Sequence, residues 1–202
     1  MQIALCTVPN PPYRKEHTHT MPTPPVLLRL VAVLLAAISL RSTATAARHE
    51  NTTQLHFFLH DTLSGKDPSA VLVGRGAGRE PRPDDPVPFS SLYATDDVLT
   101  EGPQRQSKVV GNAQGLYVSS GRGKLSLVLG MDFELTDGPF NGSAFVVYSR
   151  NTVTRPVGRE LAVVGGRGAF RMARGYALLR THFLDNGNGD AIIEYNVTLF
   201  HH

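Results

Sequence analysis

The 202-residue chain is 41% hydrophobic, 18% charged and 7% aromatic, with no tryptophan and one cysteine, which fits one globular domain with appendages and excludes a large multidomain enzyme. The formal charge of +3 belongs to the start of the chain, where Arg14, Lys15, Arg29 and Arg41 face Glu16 alone; from Arg48 onward 16 basic residues balance 16 acidic ones. With no basic run there, no nucleic-acid partner is expected.

Residues 26–40 are apolar apart from Arg29, too short to span a bilayer, and Ala44-Thr45-Ala46 has the small-residue spacing of a signal-peptidase site. This predicts an upstream extension at 1–20, a secretory signal at 21–47 starting from Met21, and a mature domain at 48–202, free of the membrane after cleavage. An uncleaved signal anchor is the alternative. Cys6 lies in the leader, so the mature domain has no thiol for a disulfide or a metal site. Asn51-Thr52-Thr53, Asn141-Gly142-Ser143 and Asn196-Val197-Thr198 are glycosylation acceptors, each requiring an exposed asparagine.

In chain order, hydrophobic periodicity is two almost throughout. Leu55, Phe57, Leu59, Asp61 and Leu63 share one parity; further strands are expected at 70–73, 92–99 and 109–119. Residues 125–135 alternate Leu125, Leu127, Leu129, Met131, Phe133 and Leu135 with smaller or polar residues, followed by runs at 143–150, 161–164, 170–183 and 191–199. Ser64-Gly65, Gly121-Arg122-Gly123, Asp137-Gly138-Pro139 and Asn186-Gly187 read as turns, and the proline-rich segment 74–88 as a long loop. Eight or nine short antiparallel strands in a cysteine-free domain predict a barrel or a sandwich, and closure into a barrel removes exposed strand edges.

Asp61 stands on the apolar parity of its strand, where an acid is costly unless paired or hydrogen-bonded. It is either a pocket acid or a solvated residue at the rim. Arg159 and Glu160, ahead of Leu161-Ala162-Val163-Val164, are either at the mouth of a cavity or a surface charge pair. The Gly165-Gly166-Arg167-Gly168 run matches neither dinucleotide nor P-loop spacing, and there is no HExxH or GxSxG, so no cofactor and no metal are expected.

His60-Asp61, Asn112-Ala113-Gln114-Gly115-Leu116-Tyr117, Phe140-Asn141-Gly142-Ser143, Arg159-Glu160-Leu161-Ala162-Val163-Val164-Gly165-Gly166, Phe170-Arg171-Met172-Ala173-Arg174-Gly175-Tyr176-Ala177 and Glu194-Tyr195-Asn196-Val197-Thr198 together resemble the ordered motifs of plant dirigent proteins. That resemblance implies an all-β, eight-stranded antiparallel up-and-down barrel of the dirigent and allene oxide cyclase type. It also implies a secreted, glycosylated homo-oligomer (dimer or trimer) of the apoplast, with sugar on Asn51, Asn141 and Asn196. Such proteins direct the coupling of phenoxy radicals, for example from two coniferyl alcohol molecules, with a separate laccase or peroxidase as the oxidant, or direct the cyclisation of quinone methides. They are auxiliary proteins rather than stand-alone oxidative enzymes. By the same resemblance Asp61 and Arg159 are the reactive pair, with Tyr117, Phe133 and Asn151 as residues of the substrate pocket. Asn151 stands where lignan-forming members carry a second aspartate, and the cysteine pair of those members is missing. A lipocalin-like barrel that only binds a phenolic or apolar ligand is the competing reading, and an isomerase or cyclase acting on a diffusible intermediate is a third.

Overall fold

Alternation of apolar and polar side chains becomes, in the computed structural model, a sheet rolled on itself. The structure describes residues 30–31, 50–77, 80–82 and 84–202. Two units separate by contact, Met1–Ala47 and Arg48–His202. Within the first only Leu30 and Val31, in helical conformation, are described, so the signal sequence, its cleavage site and Cys6 lie outside the described residues.

The second unit runs β1 Asn51–Asp61, β2 Ala70–Gly74, β3 Leu92–Thr100, β4 Val109–Ser119, β5 Leu127–Leu135, β6 Ala144–Asn151, β7 Val157–Arg167, β8 Arg174–Leu184 and β9 Ala191–His201. Every neighbouring pair is antiparallel, in the order β1-β9-β8-β7-β6-β5-β4-β3, and β1 closes the ring against β3. Eight strands therefore form the barrel. The short β2 is an addition: it takes the edge of β3 at residues 92–95, while β1 takes residues 98–100. Asp96 and Asp97 fall at the splice, where β3 changes partner.

Inward residues fill one end of the barrel. Phe133 and Phe145 stack at 5.0 Å, Phe57 stacks on Tyr195 at 5.3 Å, and Phe170 packs on Phe140 at 4.9 Å. Phe140 and Phe170 sit in two short 3₁₀ turns, Gly138–Phe140 and Gly168–Phe170, which join β5 to β6 and β7 to β8 at that end. The run expected from 170 to 183 accordingly begins as a strand only at Arg174, because Phe170 is spent on this plug. At the opposite end the aromatic filling stops and a cavity opens.

Candidate functional site

The ends of β1, β4 and β6 and the starts of β5, β7 and β9 surround a cavity of about 410 Å³. Polar groups on its wall are Asp61, Tyr117, Asn151, Arg159 and Thr181; Leu125, Leu127, Val153 and Ile193 supply apolar surface. Two loops form the mouth. Residues 84–87 of the long proline-rich loop line it, and so do Asp185, Asn186 and Gly189 of the β8–β9 loop. Gly189 turns at φ +89°, a conformation that suits glycine. The following Asp190 then accepts hydrogen bonds from the Leu63 and Ser64 amides at 2.8 and 2.9 Å and from the Ser64 hydroxyl at 2.6 Å. Burial opposes ionisation of Asp190, but Ser64 and Leu63 outweigh it and hold the carboxyl below its ordinary range. The β1–β2 and β8–β9 loops are thereby tied together beside Asp61.

Asp61 ends β1 on the same parity as the buried Phe57 and Leu59. Its Oδ1 is enclosed and has no hydrogen-bond partner. Burial first, and then the charge of Asp190, raise its pKa, while a hydrogen bond from the Tyr117 hydroxyl works the other way. A protonated carboxyl facing an apolar cavity is equipped to donate a proton. Tyr117 is itself buried and stacked on Tyr93 at 5.0 Å, and desolvation followed by the field of Asp61 keeps it a neutral phenol.

Arg159 lies inside β7, not ahead of it. That strand starts at Val157, which turns Arg159 into the barrel at 4% exposure and leaves Glu160 outside. Its guanidinium donates to the Thr181 hydroxyl at 2.8 Å. Burial lowers its pKa and the Tyr195 hydroxyl opposes the shift. Asn151, the last residue of β6, is buried on the same wall.

Asp61, Tyr117, Asn151 and Arg159 thus meet at one cavity, but Phe133 does not. It was expected on the pocket wall; it lies instead in the aromatic filling, fully buried against Phe57, Phe145 and Tyr195, because residue 133 lies further along β5 than Leu127, which lines the cavity. Phe133→Leu is accordingly expected to cost about 1–2 kcal/mol of stability, as an imperfect volume match in a packed core, while leaving the product composition of the protein unchanged. Urea denaturation and product chromatography on the same preparation check both halves.

Asp97 is the buried acid that sequence reasoning missed. Only 1% exposed, it accepts a 2.6 Å hydrogen bond from the Ser69 hydroxyl. The β1–β3 register pairs His60 with Val98, so its next step sets Asp61 across from Asp97. Burial and then the charge of Asp61 raise its pKa, Ser69 acting in opposition and Asp96 adding to the rise. Among the described residues, no group of three or more His, Cys, Asp and Glu is placed to hold a metal. The sequon asparagines Asn51, Asn141 and Asn196 are all exposed.

A closed antiparallel barrel whose one open end carries an enclosed acid, a tyrosine and a buried arginine defines a small-molecule cavity protein. The family model for dirigent-like proteins matches residues 52–200, and the chain belongs to that family. It is 46% identical over 156 residues to dirigent protein 15 of Arabidopsis thaliana, covering 76% of this chain and 82% of that one. It is 44% identical over 164 residues to pterocarpan synthase 1 of Glycine max, covering 81% and 87%. The solved structure of a pterocarpan synthase dirigent protein superposes with a TM-score of 0.72 at 42% identity, over 77% of this chain and 88% of that one.

Proposed function

We propose that the barrel gives stereochemical direction to phenolic intermediates, and that its reaction is the ring closure of a quinone methide rather than the coupling of two coniferyl alcohol radicals. The observation that carries this reading is the enclosed carboxyl of Asp61, one oxygen unpartnered, on the wall of the cavity. Its similarity to pterocarpan synthases supports the same direction.

The suited substrate is a phenol with a neighbouring benzylic alcohol and a second phenol within reach on the same molecule. Asp61 gives its proton to the benzylic hydroxyl, which departs as water; the first phenol returns a proton to the carboxylate and becomes the quinone methide. The second phenol oxygen then adds to the benzylic carbon, and its proton passes to the quinone methide oxygen, restoring the first phenol. One water is lost and no oxidant is consumed. Arg159 steadies the oxygen on which negative charge gathers, and the cavity wall leaves one face of the electrophilic carbon open to attack. A tenfold preference between faces needs only about 1.4 kcal/mol between competing transition states. The leader, the sequons and family membership support a site of action outside the cell, in the plant wall, where oxidases would supply radicals to the competing reaction.

The test is chiral chromatography of two product mixtures. One comes from a racemic benzylic alcohol of this class with the protein alone, the other from coniferyl alcohol with laccase and the protein. Enantiomeric excess in the first, absent without protein, supports ring closure. Excess confined to the second transfers the assignment to radical coupling, and racemic products in both leave a ligand-binding barrel.

A further inference from the structure

Arginine keeps its charge in any protein environment, and a buried charge is costly unless a counter-ion and hydrogen bonds compensate it. Arg159 is short of both. Among the described residues its Nε–H, enclosed, has no acceptor, and its guanidinium donates to the Thr181 hydroxyl alone. Among the described residues no acid forms an ion pair with it. The influences on its ionisation are burial and Tyr195, with no carboxylate among them.

The missing charge traces to one position. β6 pairs with β7 only as far as Val147 against Val163, and beyond that point, toward the mouth, Asn151 of β6 and Arg159 of β7 both line the cavity. A carboxylate there would be the counter-ion. The amide is not, and its Oδ1 is also enclosed without a partner. Both residues are more than nine-tenths buried and line the same cavity; Thr181 of β8 lines it beside them, Tyr195 of β9 stays a neutral phenol, and none of the acids of the lining, Asp61, Asp84, Asp85 and Asp185, forms an ion pair with Arg159. The group that would complete this wall carries a negative charge on an oxygen.

We propose that Asn151 is a specificity-determining residue that leaves the charge of Arg159 open to the ligand, so that this wall binds a phenol in its ionised form. The ligand class, a phenol, rests on the function proposed above; the charge deficit does not. An aspartate at 151 would close the site with an internal ion pair. With asparagine there, the phenolate oxygen takes the place of that carboxylate. A phenol bound in this form opens to the quinone methide without giving a proton to Asp61. The second phenol, in place of the first, returns the proton to the Asp61 carboxylate as its oxygen adds to the benzylic carbon and the first phenol is restored as the phenolate.

The experiment uses 4-nitrophenol, whose visible absorbance reports its own ionisation, titrated with the purified protein across a pH series. Bound to the wild type, the probe should ionise about one pH unit or more below its free value, equivalent to at least about tenfold tighter binding of phenolate than of phenol. In Asn151→Asp the new carboxylate neutralises Arg159, and the bound probe should ionise at or above its free value. Asn151→Ser, uncharged but smaller, should keep the downward shift, which separates charge from packing. An unshifted probe on the wild type, no saturable binding at all, or equal loss of the shift in both variants would overturn the proposal. Since the readout is the charge of a bound ligand, a shifted probe together with racemic products in the ring-closure assay would remove the proposed reaction and leave this subsite standing.

Discussion

Asp61→Asn should reduce the rate of stereoselective ring closure by roughly 10²–10⁴-fold, the range over which positioned general acids contribute. Asparagine keeps the volume of the side chain and can still accept the Tyr117 hydroxyl, but it has no proton to release. The barrel should therefore fold and bind as before, with kcat lost rather than affinity. In the wild type the raised pKa of Asp61 predicts that activity holds through the ordinary carboxylate range and declines only as pH climbs above it, where the acid finally ionises. Tyr117→Phe removes the hydrogen bond that favours the ionised form, so it should move that decline to still higher pH. Single-turnover rates against pH for the three proteins decide the matter. An Asp61→Asn protein with undiminished rate and enantiomeric excess would show that water, not this carboxyl, supplies the proton.

The barrel was legible because period-two alternation is what a sheet with one buried face imposes on a sequence. The span of β4 agrees with the expected 109–119, and the inward parity of β1 gave Asp61 away as an acid among phenylalanine and leucine. Glycine concealed part of β7. The strand was expected to stop at Val164, yet Gly165 and Gly166 both lie within it, and a Cβ on Gly166 would come within 2.4 Å of the Phe170 carbonyl and 2.7 Å of that of Ala144. Gly166 marks close packing of the plugged end, not a break in the chain, whereas a Cβ on Gly165 would meet open space. At the other end of β7, Gly158 has φ +71°, and a strand was not expected to begin around it, which is why Arg159 was left between mouth and surface.

Asp97 escaped for a related reason. Asp96-Asp97 looks like an exposed acidic pair, and half of it is: Asp96 accepts hydrogen bonds from Asn112 and Gln114 on the outer face at 2.9 Å each. Strand alternation sends its neighbour inward, with Tyr93, Thr95 and Leu99 buried on the same parity. The signal was the one that exposed Asp61, diluted by an acid of opposite parity beside it. Which residues of the proline-rich loop reach the mouth depends on how Asp84, Asp85 and Pro86 fold over the barrel end, and periodicity carries no information about that.

Asp97→Asn should make the protein more stable at neutral and alkaline pH, an unusual outcome for a substitution at a site only 1% exposed. Burial, and then the charge of Asp61, give the folded protein a higher affinity for this proton than the unfolded chain has, in which the carboxyl titrates near its ordinary value of 3.8. The folded state therefore binds more protons between that value and the raised one, and unfolding free energy falls as pH rises across the interval. Stability linked to Asp97 is complete in acid and is lost on the way to alkaline pH, at up to about 1.4 kcal/mol for each pH unit. Asparagine mimics the protonated acid: its amide can still accept the Ser69 hydroxyl, and it has no charge to set against Asp61. Wild type and variant should unfold at similar urea concentrations near pH 4 and diverge steadily above it, the variant leading by on the order of 3 kcal/mol at pH 8. Since Asp61 keeps its own raised pKa, a shallower slope should persist in the variant, and Asp61→Asn combined with Asp97→Asn should flatten the profile. Equal urea midpoints for wild type and Asp97→Asn from pH 4 to pH 8 would mean that the splice in β3 admits enough water to ionise Asp97 at no cost, and that the two carboxyls do not share one low-dielectric pocket.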